Sequence, residues 1–341
     1  MRPSAIVDAS GTTSAVEKGE PVEEGDALVM ATSGTTGTPK GVVLTHDAVA
    51  ASARATTKRL GVDPSRDRWL ACLPLSHVGG LSVVTRAMVT STPFEIQPRF
   101  SPEQAKAAAR ERGATLVSLV PTTLARLGAD GAALFRMIVL GGQHPPAERP
   151  QNTVTTYGMT ETGSGVVYDG LALEGVDVKL VAGEVFLRGP MLLRCYRDGT
   201  DPKTDDGWLP TGDAGVLDAH GCLSVLGRLD DTVISGGENI WPVQVEEVLR
   251  KHSGVLEAAV GGRPDPDWGE RVVAYVVASP AGQVLQPKAL LEALREIVSE
   301  QVAPYAAPRE LVLVASLPRT AIGKVNRSEL STLEGARVQA G

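Results

Sequence analysis

Thr32-Ser-Gly-Thr-Thr-Gly-Thr-Pro-Lys-Gly41 is the stretch on which the reading of this 341-residue chain turns. Small residues at Gly34, Thr35, Thr36 and Gly37 leave the backbone N–H groups open, and the hydroxyls of Thr32, Ser33, Thr35 and Thr36 can join them around an anion. Lys40 adds a positive charge at the end of the loop. This is not a Walker A loop, because Pro39 stands where that pattern needs its second glycine. Alone, a Gly/Thr stretch of this kind is also a common surface turn.

Outward from the loop, strand and helix patterns alternate. Ala27-Leu-Val-Met-Ala31 predicts a buried strand running into the loop, and residues 45–60 carry Ala, Val and Leu at helical spacing. Trp69-Leu-Ala-Cys-Leu73 is a short apolar run closed by Pro74. A helix over Pro102–Arg112 and strands at Thr115-Leu-Val-Ser-Leu-Val120 and Met137-Ile-Val-Leu140 follow. Such alternation implies an α/β sheet with its sites at strand ends. From about Val176, short strands such as Glu184–Arg188 and Leu223-Ser-Val-Leu226 sit between Gly/Asp turns and predict a β-rich subdomain.

Past residue 231 the pattern is a strand, a helix over 242–251, strands over 256–260 and 272–277, a helix over Pro287–Gln301, a strand over 310–314 and a final loop. The expected organisation is a large α/β domain, residues 1–229, with its β-rich subdomain, and a small α+β C-terminal domain, residues 230–341. Residues 1–26 are polar and rich in Gly, Glu and Thr, and are expected to be loosely ordered.

Composition narrows the function classes. With 33 Lys+Arg against 40 Asp+Glu and no basic run, neither nucleic acid nor an anionic membrane is an expected partner. No leader-like or membrane-spanning apolar segment stands out. Cys72, Cys195 and Cys222 are too few and too far apart for a paired zinc motif or a disulfide framework, so a cytoplasmic setting is expected.

The ten residues from Thr32 match the signature of the adenylate-forming enzymes, and the chain resembles that family of acyl-CoA synthetases, peptide-synthetase adenylation domains and luciferases. Further motifs follow in the family's order. Tyr157-Gly-Met-Thr-Glu-Thr162 supplies an aromatic plane for a base and a hard oxygen for a cation. The resemblance implies that Tyr157 stacks on adenine, Glu161 helps to hold Mg²⁺, Thr160 and Thr162 meet phosphate, and Gly158 borders the substrate. Thr211-Gly-Asp213 and Gly227-Arg228 resemble the ribose clamp, in which the Asp213 carboxylate accepts from both ribose hydroxyls and Arg228 donates to the sugar. Pro318-Arg-Thr-Ala-Ile-Gly-Lys-Val-Asn-Arg327 resembles the motif that carries the catalytic lysine, here Lys324. Its ammonium is expected to stabilise charge developing between the carboxylate oxygen and the α-phosphate.

In this family the small domain turns between an adenylation pose and a thioester-forming pose, with the pivot mapping onto Asp230. Ser235-Gly-Gly-Glu-Asn-Ile-Trp-Pro242 resembles the loop that meets the CoA arm, through Gly236 and Gly237. Leu73-Pro-Leu-Ser-His77 resembles the segment whose histidine borders the acyl pocket, and nine residues on comes Arg86, where o-succinylbenzoate–CoA ligases of menaquinone biosynthesis carry a base for the second carboxylate. Gly163-Ser-Gly-Val-Val-Tyr-Asp-Gly170 is similar to short actinobacterial forms of that ligase.

The resemblance spans about residues 27–330 and implies ATP, Mg²⁺ and CoA as cofactors and a small carboxylic acid as substrate. It departs from the pattern in two places. Few residues precede the phosphate loop, so part of the acyl-pocket surround is either missing or supplied by a second subunit of a homodimer. Gln143-His-Pro-Pro146 replaces the more usual Gly-Gly-Ala-Pro strand end near adenine. Two other readings stay open at this point: a stand-alone adenylating enzyme that loads a carrier protein or an amine, and an inactive nucleotide sensor.

Overall fold

A computed structural model describes residues 5–7, 12–17, 19, 22–32, 40–319 and 325–340. The chain forms two compact units, the first made of residues 1–179, 186–211 and 217–223, the second of 180–185, 212–216 and 224–341.

The first unit is built on a seven-stranded sheet ordered Leu171–Ala172, Ser164–Tyr168, Thr153–Met159, Met137–Leu140, Leu116–Leu119, Trp69–Ala71, Phe94–Ile96. The five strands from Thr153–Met159 to Phe94–Ile96 pair in parallel, and Ser164–Tyr168 turns back antiparallel beside Thr153–Met159. Both faces of Met137–Leu140, Leu116–Leu119 and Trp69–Ala71 are covered, so these strands are short, largely apolar runs. Leu70, Val117, Leu119, Ile138 and Leu140 pack against Ala105, Ala108, Leu124 and Leu127 of the helices Pro102–Arg112 and Pro121–Ala132. Trp69, Ala71, Leu116 and Val139, one residue out of phase, pack on the other face against Val83 and Ala87 of the helix Val78–Val89 and Ala55 of the helix His46–Arg59.

Local chemistry sets the helix ends. Thr45 Oγ1 accepts from Ala48 N at 3.1 Å to start His46–Arg59. Ser101 caps Pro102–Arg112, Pro102 opens it, and Gly113 ends it at φ +70°.

Asp67 pins the amino ends of three neighbouring parallel strands. It accepts from Arg136 Nε and Nη2, both at 2.8 Å, from Thr115 Oγ1 at 2.9 Å and from Asp63 N at 2.9 Å. Burial pushes its carboxyl up, but the Arg136, Asp63 and Thr115 hydrogen bonds win and hold it below the ordinary aspartate value. A depressed carboxyl stabilises the fold above its unfolded pKa and loses that contribution as pH falls through the folded one. Asp67→Asn is therefore expected to cost about 1–3 kcal/mol in urea unfolding at pH 7. The gap to wild type should close as the pH is taken below the Asp67 pKa.

Two differences from the sequence reading stand out in this unit. Lys40–Thr45 is a strand, antiparallel to Asp26–Thr32 with Thr32 opposite Lys40, so the residues that flank the expected phosphate loop pair with each other. The run Val42-Val-Leu44 is fully buried and does not alternate, which removed the periodic signal. Within residues 1–26, Ala5–Val7 pairs antiparallel with Thr13–Ala15. The expected β-rich region is a four-stranded sheet ordered Asp177–Val181, Glu184–Arg188, Leu209–Leu217, Leu223–Arg228.

In the second unit the strand Gly269–Ala278 lies centrally, antiparallel to Val255–Asp265 and parallel to Glu310–Leu313. Val272, Ala274 and Val276 face Val245 and Leu249 of the helix Pro242–Leu249 and Leu290, Leu291 and Leu294 of Pro287–Gln301. Val273 and Tyr275 face the opposite way, onto Val312, Val314, Leu317 and Leu330. The expected final loop is corrected here: Ala336–Gln339 pairs antiparallel with Glu310–Leu313. That edge strand is mostly exposed and offers no apolar alternation to read.

Candidate adenylation site

In the first unit, the hairpin stem brings Lys40 to the base of the phosphate loop. Ser33, Gly34, Thr35, Thr36 and Gly37 lie outside the described residues. Lys40 Nζ sits 4.8 Å above the ring of Tyr196, whose hydroxyl donates to Glu161 Oε1 at 3.1 Å. Tyr196 is held beside the stem by the strand Cys195–Tyr196, which pairs with Lys40–Thr45 so that Tyr196 faces Val42. The structure thereby joins the loop's lysine to the carboxylate of the second motif through a tyrosine that the sequence reading did not single out.

The second motif is a strand, a tight turn and a returning strand. Gly158 closes against the turn, since a Cβ there would lie 2.3 Å from Ser164 O. Thr162 is fully buried; its hydroxyl accepts from Met159 N and lies within hydrogen-bond distance of Met159 O and Ser164 O, so it fastens the turn Thr160–Thr162. Thr160 is half-buried, and Tyr157 lies opposite Val167 on the strand Thr153–Met159. Among the described residues no cluster of three or more His, Cys, Asp or Glu could hold a metal, which leaves Glu161 as a single carboxylate for a cation.

On the acyl side, His77 precedes the helix Val78–Val89. Gly80 lets that helix start against Leu73 and Pro74, where a Cβ would come 2.3 Å from Pro74 O. Two turns on, Arg86 is 2% exposed. It lies 5.0 Å over the Trp69 ring, and its Nη2 donates to Ser164 Oγ at 3.2 Å. Ser164 Oγ in turn lies 3.3 Å from Ser82 Oγ. Among the described residues, Arg86 Nε and Nη1 meet no hydrogen-bond acceptor. Burial pulls the guanidinium pKa down, although the group stays charged. Arg86 lines a narrow cleft with Leu28, Val78, Leu81, Ser82 and Gly163. His77 does not line that cleft.

In the second unit, Asp213 and Arg228 stand on neighbouring strands with Oδ1 3.3 Å from Nη1. Gly212 makes this approach possible at φ +69°, because a Cβ would lie 2.7 Å from Arg228 Nη2. Glu184 Oε1 holds the same glycine, accepting from Gly212 N at 2.8 Å. Asp230 and Asp231 follow in a short turn, Leu229–Asp231.

Gly236 and Gly237, at φ +62° and +85°, turn the hairpin Val233–Ser235 to Glu238–Ile240. Gly236 packs against Trp268, whose ring would meet a Cβ at 2.8 Å, and Arg309 stacks 3.7 Å over the same ring. Arg319 bridges Val325, and Asn326 N donates to Pro318 O at 2.8 Å. Lys324 directly precedes Val325 and lies outside the described residues.

These motifs and this fold define an adenylate-forming enzyme. The chain belongs to the AMP-binding enzyme family: the family pattern matches residues 3–197, and the pattern of the AMP-binding enzyme C-terminal domain matches residues 244–324. It is 38% identical over 340 residues to a Mycobacterium tuberculosis protein named probable 2-succinylbenzoate–CoA ligase, covering 93% of this chain and 86% of the relative. Among solved structures, the o-succinylbenzoate CoA synthetase of Bacillus subtilis in complex with the acyl-adenylate intermediate OSB-AMP matches with a TM-score of 0.83 and 32% identity, over 94% of this chain and 73% of that one. The same enzyme in complex with ATP and magnesium ion matches with a TM-score of 0.80 and 32% identity, over 93% and 73%. Among the described residues no helix is long and apolar enough to cross a membrane.

Proposed function

We infer that this chain is an AMP-forming acid–CoA ligase acting on o-succinylbenzoate. The carboxylate attacks the α-phosphate of ATP and releases pyrophosphate; the CoA thiol then attacks the acyl carbon and releases AMP. Family membership and the 38% identical relative support the reaction. The observation that carries the choice of acid is Arg86: a buried guanidinium with two N–H-bearing nitrogens that lack acceptors among the described residues, lining a cleft, calls for an anion. The second carboxylate of o-succinylbenzoate supplies one.

The loop from Thr32 to Lys40 grips the triphosphate, with Tyr157 against the adenine, Asp213 and Arg228 on the ribose, and His77 and Gly158 bordering the acyl group. Glu161 would hold Mg²⁺, which suits an ion that takes one carboxylate and fills its shell with nucleotide oxygens and water. When bound, that ion neutralises phosphate charge. Tyr196, donating to Glu161, keeps the carboxylate oriented. Lys324 supplies charge to the adenylation step, Asp230 is the pivot between residues 1–229 and 230–341, and Gly236 and Gly237 face the CoA arm. Three cysteines free of disulfides fit a cytoplasmic enzyme.

The test is pyrophosphate and AMP release over a panel of aryl and succinyl-aryl acids, with and without CoA. We expect pyrophosphate with o-succinylbenzoate and AMP only when CoA is added. Absence of CoA-dependent AMP release with every acid would refute the ligase reading.

A further inference from the structure

Arg327 has no part in the site as described, yet it is firmly held within the second unit. Its Nη1 donates to Glu246 Oε1 at 2.6 Å and to Val260 O at 2.9 Å, its Nη2 donates to Glu246 Oε2 at 3.1 Å, and its Nε lies 3.3 Å from Asp231 Oδ2. Glu246 is buried on the helix Pro242–Leu249 and also accepts from Val260 N at 2.9 Å. One guanidinium therefore locks a helix, the strand Val255–Asp265 and the turn Leu229–Asp231 together.

The position of this lock is informative. Asp231 directly follows Asp230, and Arg327 lies three residues after Lys324, just beyond the stem formed by Arg319 and Val325. A bidentate Arg–carboxylate pair fixes geometry more than it adds stability, because desolvation offsets most of the attraction. Burial also pushes the Asp231 carboxyl up, with Arg327 pulling against it, so the contact is retained at an electrostatic cost. A purely structural site would be served as well by apolar side chains.

We propose that Arg327 is a positioning residue that ties residues 325–327, which directly follow Lys324 in the chain, to the pivot segment, so that a turn at Asp230 moves the two together. This rests on the roles of Lys324 and Asp230 given above. Loosening the tie costs adenylation, which needs the lysine placed to within a fraction of an ångström, and spares thioester formation.

Asp231→Asn removes the charge at the pivot and leaves the Arg327–Glu246 pair intact. In the full-length enzyme we expect adenylation kcat to fall about 10- to 100-fold, the range for a misplacement of about 1 Å. The KM for ATP, thioester formation from preformed acyl-AMP and the melting temperature should stay at wild-type values. Arg327→Lys keeps the charge but loses the fork, and should give the same split. Equal loss in both half-reactions, or a fall in melting temperature that accounts for the loss, would overturn the proposal. So would wild-type adenylation in both variants while Lys324→Ala abolishes it. Wild-type adenylation in Lys324→Ala would instead remove the reading of the lysine, and the proposal with it.

Discussion

Lys324→Ala is expected to lower pyrophosphate release from ATP and o-succinylbenzoate by about 10²- to 10³-fold, the usual effect of deleting one charge-stabilising donor. Thioester formation from preformed acyl-AMP and CoA should keep its wild-type rate. The reason is where charge builds up. During adenylation, negative charge grows on the oxygens between the acid and the α-phosphate, and a single ammonium placed there acts on the transition state more than on bound ATP. In the second half-reaction the leaving group is AMP, and the family resemblance gives that step to the other pose. Rapid-quench measurement of each half-reaction separates the two, and equal loss in both would contradict the assignment.

Arg86→Met is expected to raise the KM for o-succinylbenzoate by about 10- to 100-fold, the loss of one charge-assisted hydrogen bond at about 1.5–3 kcal/mol. Benzoate, which lacks the second carboxylate, should lose little. Methionine fills much of the same volume without a charge. Since Nε and Nη1 of Arg86 meet no acceptor among the described residues, the variant should melt no lower than wild type. That pairing of weaker binding with undiminished stability marks a residue kept for its ligand. An equal rise in KM for both acids would refute the role, and steady-state kinetics with the two acids decides it.

Much of this molecule was legible because its signals are local. The helix Pro102–Arg112 begins and ends on its own cap residues, and the strand Met137–Leu140 is a compact apolar run bounded by Gly141. The strand Lys40–Thr45 was not legible, because Val42, Val43 and Leu44 are buried on both faces and carry no period. Tyr196 was missed for a different reason: it reaches Glu161 across 35 residues, and nothing beside it in sequence announces the contact. Ser82 and Ser164, which steady Arg86, meet across 82 residues in the same way. Motif residues such as Asp213 and Arg228 could be named from the chain, but their mutual approach depends on Gly212, whose φ of +69° the sequence alone does not reveal.

The phosphate loop leaves its strand only to enter another, since Thr32 and Lys40 are partners across a hairpin. Nucleotide loops that run into a helix borrow the helix dipole, worth about 0.3–1 kcal/mol for an anion at its amino end. Here the chain continues from Lys40 to Thr45 in extended form, so no helix starts directly after the lysine. Lys40 is the loop's own full positive charge for a polyanion. Its seat over the Tyr196 ring, with Tyr196 hydrogen-bonded to Glu161, makes the loop's cation and the carboxylate proposed for the metal ion parts of one assembly. Under the proposed roles, nucleotide and metal ion are received by a shared piece of the protein, and a change at the tyrosine would be felt by both.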